Sequence, residues 1–332
     1  MNPIRITALA ATFAVGLGLT SAASALEIIM TNEVAVSHWK NTEMKQFADA
    51  VAKRSGGRVT AKVFPASQLY NDRDAVAALG TGAVHMVWPV TVNLETIDLR
   101  VGIATVPFVL TDEAMLKPGF KREFAQMLSG FVEPKGIGVL AVLRTSDAFF
   151  LFKDRPIRQV SDLRGQKIRV TGGRILLDLI RAYGASPVSM AASEMAVAIS
   201  TGAIDGIVTS AAGWSQIVGK SARQASMIPG LSLLTYSVAV DKSWLDKIPA
   251  EDKKAIEEAM AEFASTQWEQ AMKKDQEEID AMVAQGGTYW RANPEQAAPF
   301  RKAAEPVVKS FSERYPAVME AYNGMVARHG AN

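Results

Sequence analysis

Two distant segments of this chain carry the same short pattern. Asp74-Ala-Val-Ala-Ala-Leu-Gly-Thr-Gly-Ala-Val-His85 aligns without gaps on Glu194-Met-Ala-Val-Ala-Ile-Ser-Thr-Gly-Ala-Ile-Asp205. Each reads as a helix, a Thr-Gly-Ala turn and a strand. A chance match between alanine-rich helices is the alternative. If the echo is a repeat, each half of the chain carries one helix–turn–strand unit, which fits two similar α/β lobes and not one sheet. It also makes Trp88-Pro89 the positional twin of Val208-Thr209. Ligands of open α/β sheets sit beyond the carboxyl ends of the strands, so both pairs are expected to face a cleft between lobes.

The surroundings of both copies agree. Leu26–Met30 is a short apolar strand, residues 40–54 are helical with Met44, Phe47 and Val51 on one face, and Ser55-Gly56-Gly57 ends that helix. Residues 58–63 alternate polar and apolar with period two, as a half-exposed strand does. A helix over 73–79 and a strand over 84–88 follow. The order returns with strands at 148–152 and 167–170, a helix over 174–183, a strand at 186–188, a helix over 193–200 and a strand at 204–209. The last third reads as helix. A run of more than 30 residues from Pro249 to Gly286-Gly287 is either one bent helix strapped across both lobes or two helices, and a final helix is expected over 294–325.

Composition narrows the function. With 48% hydrophobic and 21% charged residues, the 332-residue chain can bury a large core. A net charge of +2, with cations scattered and no basic stripe, argues against nucleic acid as a partner. The absence of cysteine removes disulfides, thiolate metal sites and cysteine nucleophiles together. The three histidines, His38, His85 and His329, have no metal-ligand spacing and lie in no nucleophile motif, and His85 reads as a packed residue. No metal or cofactor is expected. Arg5, the apolar run Ala8–Leu19 and Ala23-Ser24-Ala25 have the form of a secretory signal peptide over residues 1–25, cleaved after Ala25. The apolar run is shorter than the roughly 20 residues of a bilayer span. The mature chain is expected to be exported and soluble.

Arg169 is the residue that points to a ligand. In Lys167-Ile168-Arg169-Val170 the two cations share one face of a strand and the two aliphatic residues the other. One reading is a solvent-facing strand. The other places a guanidinium at the cleft, paired bidentately with a carboxylate, while Gly172-Gly173 lets backbone approach the ligand closely.

At these residues the sequence resembles the substrate-binding proteins of tripartite ATP-independent periplasmic (TRAP) transporters, the DctP-type family. The similarity rests on Leu-Arg-Gly-Gln-Lys-Ile-Arg-Val at 163–170, Gly-Ala-Ser-Pro-Val-Ser-Met at 184–190 with Ser193-Glu194, and Thr-Gly-Ala-Ile-Asp-Gly at 201–206. Phe64-Pro65-Ala66-Ser67-Gln68-Leu69 with Asp72-Arg73, and Thr105-Val106-Pro107-Phe108, extend it over the mature chain. The resemblance implies an α/β, two-lobed periplasmic binding protein-like fold with a long bridging helix, and no enzyme activity. It implies capture of a small organic acid between the lobes and delivery to the small and large integral membrane subunits of a TRAP permease. It makes Arg169 the partner of the substrate carboxylate. The lobes are expected to comprise residues 26–146 with 235–274, and 147–234 with 275–332, in a monomer.

Sialic acid-binding members carry a second arginine where this chain has Phe149, an asparagine where it has Thr209 and a phenylalanine where it has Ala192. These departures argue against sialic acid. Phe149, Trp88, Trp214 and Tyr236 are then candidate pocket walls, with a packed core position as the other reading of each, Asn32 and Thr91 are candidate contacts from the first lobe, and Gly173 is a close backbone approach. Arg144 and Arg174 are candidates for a second cation, with plain surface exposure as the other reading of both. Aromatic acids, keto or hydroxy acids and dicarboxylates all fit. A binding protein of an ABC-type importer, a ligand sensor and an exported enzyme acting on a carboxylate are the other readings of the chain.

Overall fold

The computed structural model describes residues 25–330; the expected signal peptide lies outside the described residues except for Ala25. Eleven strands form two sheets: β1 (Leu26–Thr31), β2 (Val59–Phe64), β3 (Met86–Val87), β4 (Ile137–Asp147), β5 (Phe149–Phe152), β6 (Lys167–Val170), β7 (Ser186–Ser189), β8 (Gly206–Thr209), β9 (Gln224–Met227), β10 (Leu233–Asp241) and β11 (Thr288–Arg291). The first sheet has the order β2-β1-β3-β10-β4 and the second β11-β9-β5-β8-β6-β7.

The internal echo is a topological repeat. In the first sheet β1 pairs in parallel with β2 and β3. In the second β6 pairs in parallel with β7 and β8. Each trio is built the same way, with one helix between its first two strands (Trp39–Arg54, Arg174–Ala182) and another before its third (Asp72–Ala78, Met195–Thr201). The glycines of the two Thr-Gly-Ala turns, Gly82 and Gly202, both take left-handed backbone, with φ of 82° and 74°. That conformation favours glycine at the turn leaving each helix. In each sheet an antiparallel strand, β10 or β5, lies beside the trio's third strand.

The chain passes between the sheets where β4 leads into β5 and where β9 leads back to β10. Both sheets are covered on both faces. Along β5, Phe149 and Leu151 face a cluster with Ile207, Met195 and Trp214, while Phe150 and Phe152 face one with Ile168, Leu176 and Phe300. Strands buried on both sides read as continuous apolar runs.

The region after Pro249 forms one helix, Ala250–Ala284, 35 residues long. Ile256, Ala259 and Met260 pack into the first sheet's core, and Ile279 and Met282 into the second's, so this helix bridges the lobes. Its inward face is Trp268, Ala271 and Ile279; Met272 and Val283 are exposed. The expected final helix is two helices, Pro294–Arg314 and Pro316–His329. Pro316 disfavours helical backbone at the preceding residue, and Tyr315 has φ −131° and ψ 58°. Pro294–Arg314 packs on the second lobe through Phe300 and Ala304. Pro316–His329 returns to the first lobe, where Tyr322 meets Phe120 and Phe124 edge-on. The segment 275–332 therefore does not stay with the second sheet as expected: Val307 and Phe311 already join the first lobe's core, and after the break at Pro316 the last helix packs there as well.

Candidate functional site

A cavity of about 40 Å³ lies between the lobes, beyond the carboxyl ends of the parallel strands. Roughly 10–15 Å³ suffices for one water. Glu33, Val34 and His38 follow β1, Asp72 starts a helix after β2, and Val90 follows β3. Thr145, Leu234 and Tyr236 come from the strands that cross between lobes. The second lobe supplies Arg169, Thr171, Ala192, Met195, Thr209, Ser210, Gly213 and Ile217.

Arg169 sits on the central strand of its trio, in register with Val188 on one side and Ile207 on the other. Lys167, two residues earlier, is exposed, while Arg169 is only 2% exposed. Its protein partners are backbone carbonyls. Nε and Nη2 donate to Met190 O at 3.1 and 2.8 Å, and Nη1 donates to Val208 O at 3.5 Å. No carboxylate lies within salt-bridge distance among the described residues. Burial pulls the guanidinium down to about 10, against the opposing charges of Glu33 and Glu194. The carbonyls fix the plane of the fork and occupy its Nε/Nη2 edge. Three bonds from five N–H donors leave two N–H groups of the fork for a planar acceptor.

The first-lobe wall is acidic. Asp72 pairs with Lys40 at 3.0 Å, and both are buried. Lys40 Nζ also lies 4.4 Å from the centre of the Tyr236 ring. Glu33 Oε1 accepts from Ala192 N at 2.9 Å, across the cleft, and Oε2 accepts from Asp72 N at 3.3 Å. Burial first, and then the Asp72 charge, hold the Glu33 carboxyl above its usual range. His38 Nδ1 accepts from Lys40 N at 3.2 Å, and burial followed by the Lys40 charge pulls its ring down to about 3, so it is neutral. The Thr145 hydroxyl is buried on the wall. The Tyr236 phenol is close to it but outside hydrogen-bond geometry, and no other described group pairs with it.

Of the sequence candidates, Arg169, Thr209, Ala192 and Tyr236 line the cavity. The others do not. Phe149 packs edge-on to Trp214 and Tyr289 inside the second lobe, and Trp214 Nε1 donates to Ala222 O at 2.9 Å. Trp88 is enclosed by Phe47 and Phe263 in the first lobe, and Val90, two residues on, reaches the cavity instead. Asn32 is buried and holds the turn after β1: its Nδ2 donates to Asn41 Oδ1 at 2.8 Å and its Oδ1 accepts from Val34 N at 3.1 Å. Thr91 is tied to Ser237 and Thr235 at 2.9 and 2.7 Å.

Gly173 touches the other lobe and not the cavity: a Cβ there would lie 1.9 Å from Val92 Cγ2. Arg174 is exposed and pairs with Asp178 at 3.5 Å; its backbone N–H donates to Glu95 Oε2 at 2.6 Å, again across the lobes. Arg144 is buried but spoken for. Its Nε donates to Asp112 Oδ1 at 2.7 Å, Nη2 reaches Asp147 Oδ2 at 3.2 Å, and Nη1 pairs with Asp275 of the bridging helix. His85 is packed as expected: Nδ1 accepts from Ile29 N at 3.0 Å and the ring stacks on Trp244.

Sequence reasoning missed Glu33, His38, Asp72 and Thr145. The topological rule that placed Trp88 at the cleft also applies to the turn leaving β1, where Glu33 is the first acidic residue. Among the described residues, no group of three or more histidine or acidic side chains is arranged to hold a metal ion.

The model of the family described as bacterial extracellular solute-binding protein, family 7 (DctP), matches residues 30–314. The chain belongs to this family. It is therefore a solute-binding protein and not an enzyme. It is 28% identical over 310 residues to the C4-dicarboxylate-binding periplasmic protein DctP of Rhodobacter capsulatus, covering 92% of each chain. A TRAP periplasmic solute-binding protein from Shewanella oneidensis, solved with bound succinate, superposes with a TM-score of 0.83 at 26% identity, covering 91% of this chain and 99% of that one. DctP7 of Bordetella pertussis, an extracytoplasmic solute receptor binding pyroglutamic acid, superposes with a TM-score of 0.81 at 21% identity, covering 90% of this chain and all of that one. The family membership and both superpositions agree with the two-lobed α/β architecture.

Proposed function

We propose that this chain is the exported, periplasmic subunit of a TRAP-type transporter, which closes on a small carboxylate and delivers it to the small and large membrane subunits of the permease. The observation that carries the reading is Arg169: a buried guanidinium in the inter-lobe cavity whose protein partners are all carbonyls. A buried charge without a counter-charge is costly, and a solute carboxylate on the free N–H groups supplies one. Closure couples to binding because only the closed form presents Arg169 and the Glu33–Asp72 wall to one ligand. The cavity is completed within one chain, which supports a monomer as the working unit. The bound acids of the Shewanella and Bordetella proteins support a carboxylate as the solute class.

Titration calorimetry of the wild type and Arg169→Ala with a panel of small organic acids tests this. Removing one partner of a buried pair costs about 3–5 kcal/mol, so the variant should lose binding by about a hundred-fold or more. Near wild-type affinity in Arg169→Ala overturns the clamp.

A further inference from the structure

The charges around the cavity are unbalanced in a way that bears on which carboxylate fits. Glu33, Asp72 and Arg169 line it, and His38 is neutral. Arg169 is the one cation among the described lining residues. Lys40 stands behind the wall, committed to Asp72 at 3.0 and 3.4 Å. The two arginines that are the sequence candidates for a second carboxylate are elsewhere: Arg144 is held by three aspartates, and Arg174 lies exposed outside the cavity. Within this cavity a dicarboxylate would place its second negative charge against two acidic side chains with no second lining cation; Arg73 stands with Glu33 on an adjoining cavity. Like charges brought together in a site screened from water repel strongly.

Glu33 has acceptor capacity to spare. An ionised carboxylate offers about four lone-pair positions, and backbone N–H groups take one on each oxygen: Ala192 N on Oε1 and Asp72 N on Oε2. Its burial beside Asp72 is unfavourable, and an arriving donor relieves that. Because Ala192 belongs to the opposite lobe, Glu33 stands at the seam that closes over the ligand.

We infer that Glu33 is a specificity-determining residue, selecting small monocarboxylates that also carry an N–H, ammonium or hydroxyl donor and rejecting dicarboxylates. This rests on the reading of Arg169 as the carboxylate clamp. The carboxylate takes the free N–H groups of Arg169, and the donor points across the cavity to Glu33.

The test uses matched acids that differ in the donor: pyroglutamate against cyclopentanecarboxylate, and lactate against propionate, with succinate as the dicarboxylate. Binding is measured calorimetrically on the wild type, Glu33→Gln and Arg169→Ala. Glu33→Gln keeps an acceptor for Ala192 N and removes the charge, and circular dichroism checks that it is folded. In the wild type the donor-bearing acid of each pair binds about 10- to 100-fold more tightly than its partner, the range expected of a hydrogen bond to a charged group, and succinate binds more weakly than either donor-bearing acid. Glu33→Gln reduces the ratio within each pair and improves succinate. Arg169→Ala loses all five. If binding depends on Arg169 but the pairs bind equally, or succinate binds more tightly than the donor-bearing acids, or Glu33→Gln leaves the ratios unchanged, the Glu33 assignment falls and the clamp stands. If the wild type binds none of the five, both fall.

Discussion

The carboxylate of Glu33 accepts a hydrogen bond from the backbone N–H of Ala192 at 2.9 Å, joining the two lobes across the cavity. Two other bonds follow the same plan. Arg174 N donates to Glu95 Oε2 at 2.6 Å, and Trp39 N donates to Gln216 Oε1 at 3.0 Å. Ala192, Arg174 and Trp39 each occupy the first position of a helical segment. The first N–H groups of a helix have no partner within it. Closure thus supplies helix-terminal donors of one lobe with side-chain acceptors of the other.

The Glu95 contact gives a test of closure separate from ligand chemistry. Gly173 precedes Arg174 with φ +77°, and a Cβ there would lie 1.9 Å from Val92 Cγ2 and 2.7 Å from Glu95 Oε1. Gly173→Ala should hold the lobes apart, because both obstacles belong to the opposite lobe. Affinity should fall by about tenfold or more, in line with the 1–3 kcal/mol of a forced backbone position, although no cavity-lining side chain is altered. Small-angle scattering with saturating ligand should show less compaction than in the wild type. Full compaction would mean that the contact at Gly173 does not gate closure.

Glu43 sets a pH dependence of stability. It is buried, with Oε1 accepting from Gln267 Nε2 at 2.9 Å and Oε2 unpartnered. Burial pushes its carboxyl up to about 8 from 4.5. A carboxyl raised on folding favours the protonated folded state. Its stabilising contribution is full below pH 4.5 and is lost as the pH rises through 8. Urea unfolding should therefore show a fall on the order of 2–4 kcal/mol between pH 5 and pH 9 attributable to this group. Glu43→Gln, neutral at every pH, should flatten that part of the profile. A profile unchanged in the variant would assign the pH dependence elsewhere.

The parallel trios were legible in the sequence because each strand is short, bounded by glycine turns and paired with a helix of clear periodicity. Of the antiparallel strands that carry the chain between lobes, β5 was legible as well, while β4, β9 and β10 were not. Ile137-Gly-Val-Leu-Ala-Val-Leu143 is a continuous apolar run, which strand and buried helix share. At the site, Arg169 stood out because a cation on a buried-type strand is chemically conspicuous. Glu33 did not, because one acidic residue in a polar turn reads as solvated until the fold brings Ala192 against it. Three of the four aromatic candidates took the core reading and not the wall reading, for a physical reason: large rings fill cores more often than they line cavities, and Trp88, Phe149 and Trp214 are all 1% exposed or less, while Tyr236 lines the cavity.

Arg144 illustrates a cation that serves structure. It ties β4 to the bridging helix through Asp275, and it also pairs with Asp147 of β4 and with Asp112, whose Oδ1 accepts from Trp268 Nε1 of the bridging helix at 2.8 Å. Burial pulls the guanidinium down, but the bond to Asp112 and the charges of Asp275, Asp112 and Asp147 hold it above its ordinary value. Arg144→Met leaves carboxylates without their cation and should cost about 3–5 kcal/mol in urea unfolding. A second cation for the ligand is not lost with it. Once the variant is folded, its relative affinities for succinate and a monocarboxylate should match the wild type. A selective loss of succinate binding would put Arg144 back at the ligand.

Phe149 and Thr209 are register partners on β5 and β8, yet only Thr209 lines the cavity. The Phe149 ring turns to Trp214 and Tyr289, with centroids at 6.0 and 5.8 Å. The Thr209 hydroxyl has one hydrogen-bonding partner in the protein, a long 4.0 Å approach to Met195 Sδ, so it keeps hydrogen-bonding capacity toward the cavity. Substitutions at the two positions should separate stability from binding. Phe149→Leu should lower unfolding stability by about 1–3 kcal/mol, the cost of reshaping a packed core, and leave carboxylate affinity unchanged. Thr209→Val should keep the melting temperature and weaken binding by about 0.5–1.5 kcal/mol, the net worth of a hydrogen bond. Calorimetry and thermal unfolding of both variants decide it: a loss of affinity in Phe149→Leu with stability intact would return the ring to the wall of the site, and unchanged affinity in Thr209→Val would remove the hydroxyl from it.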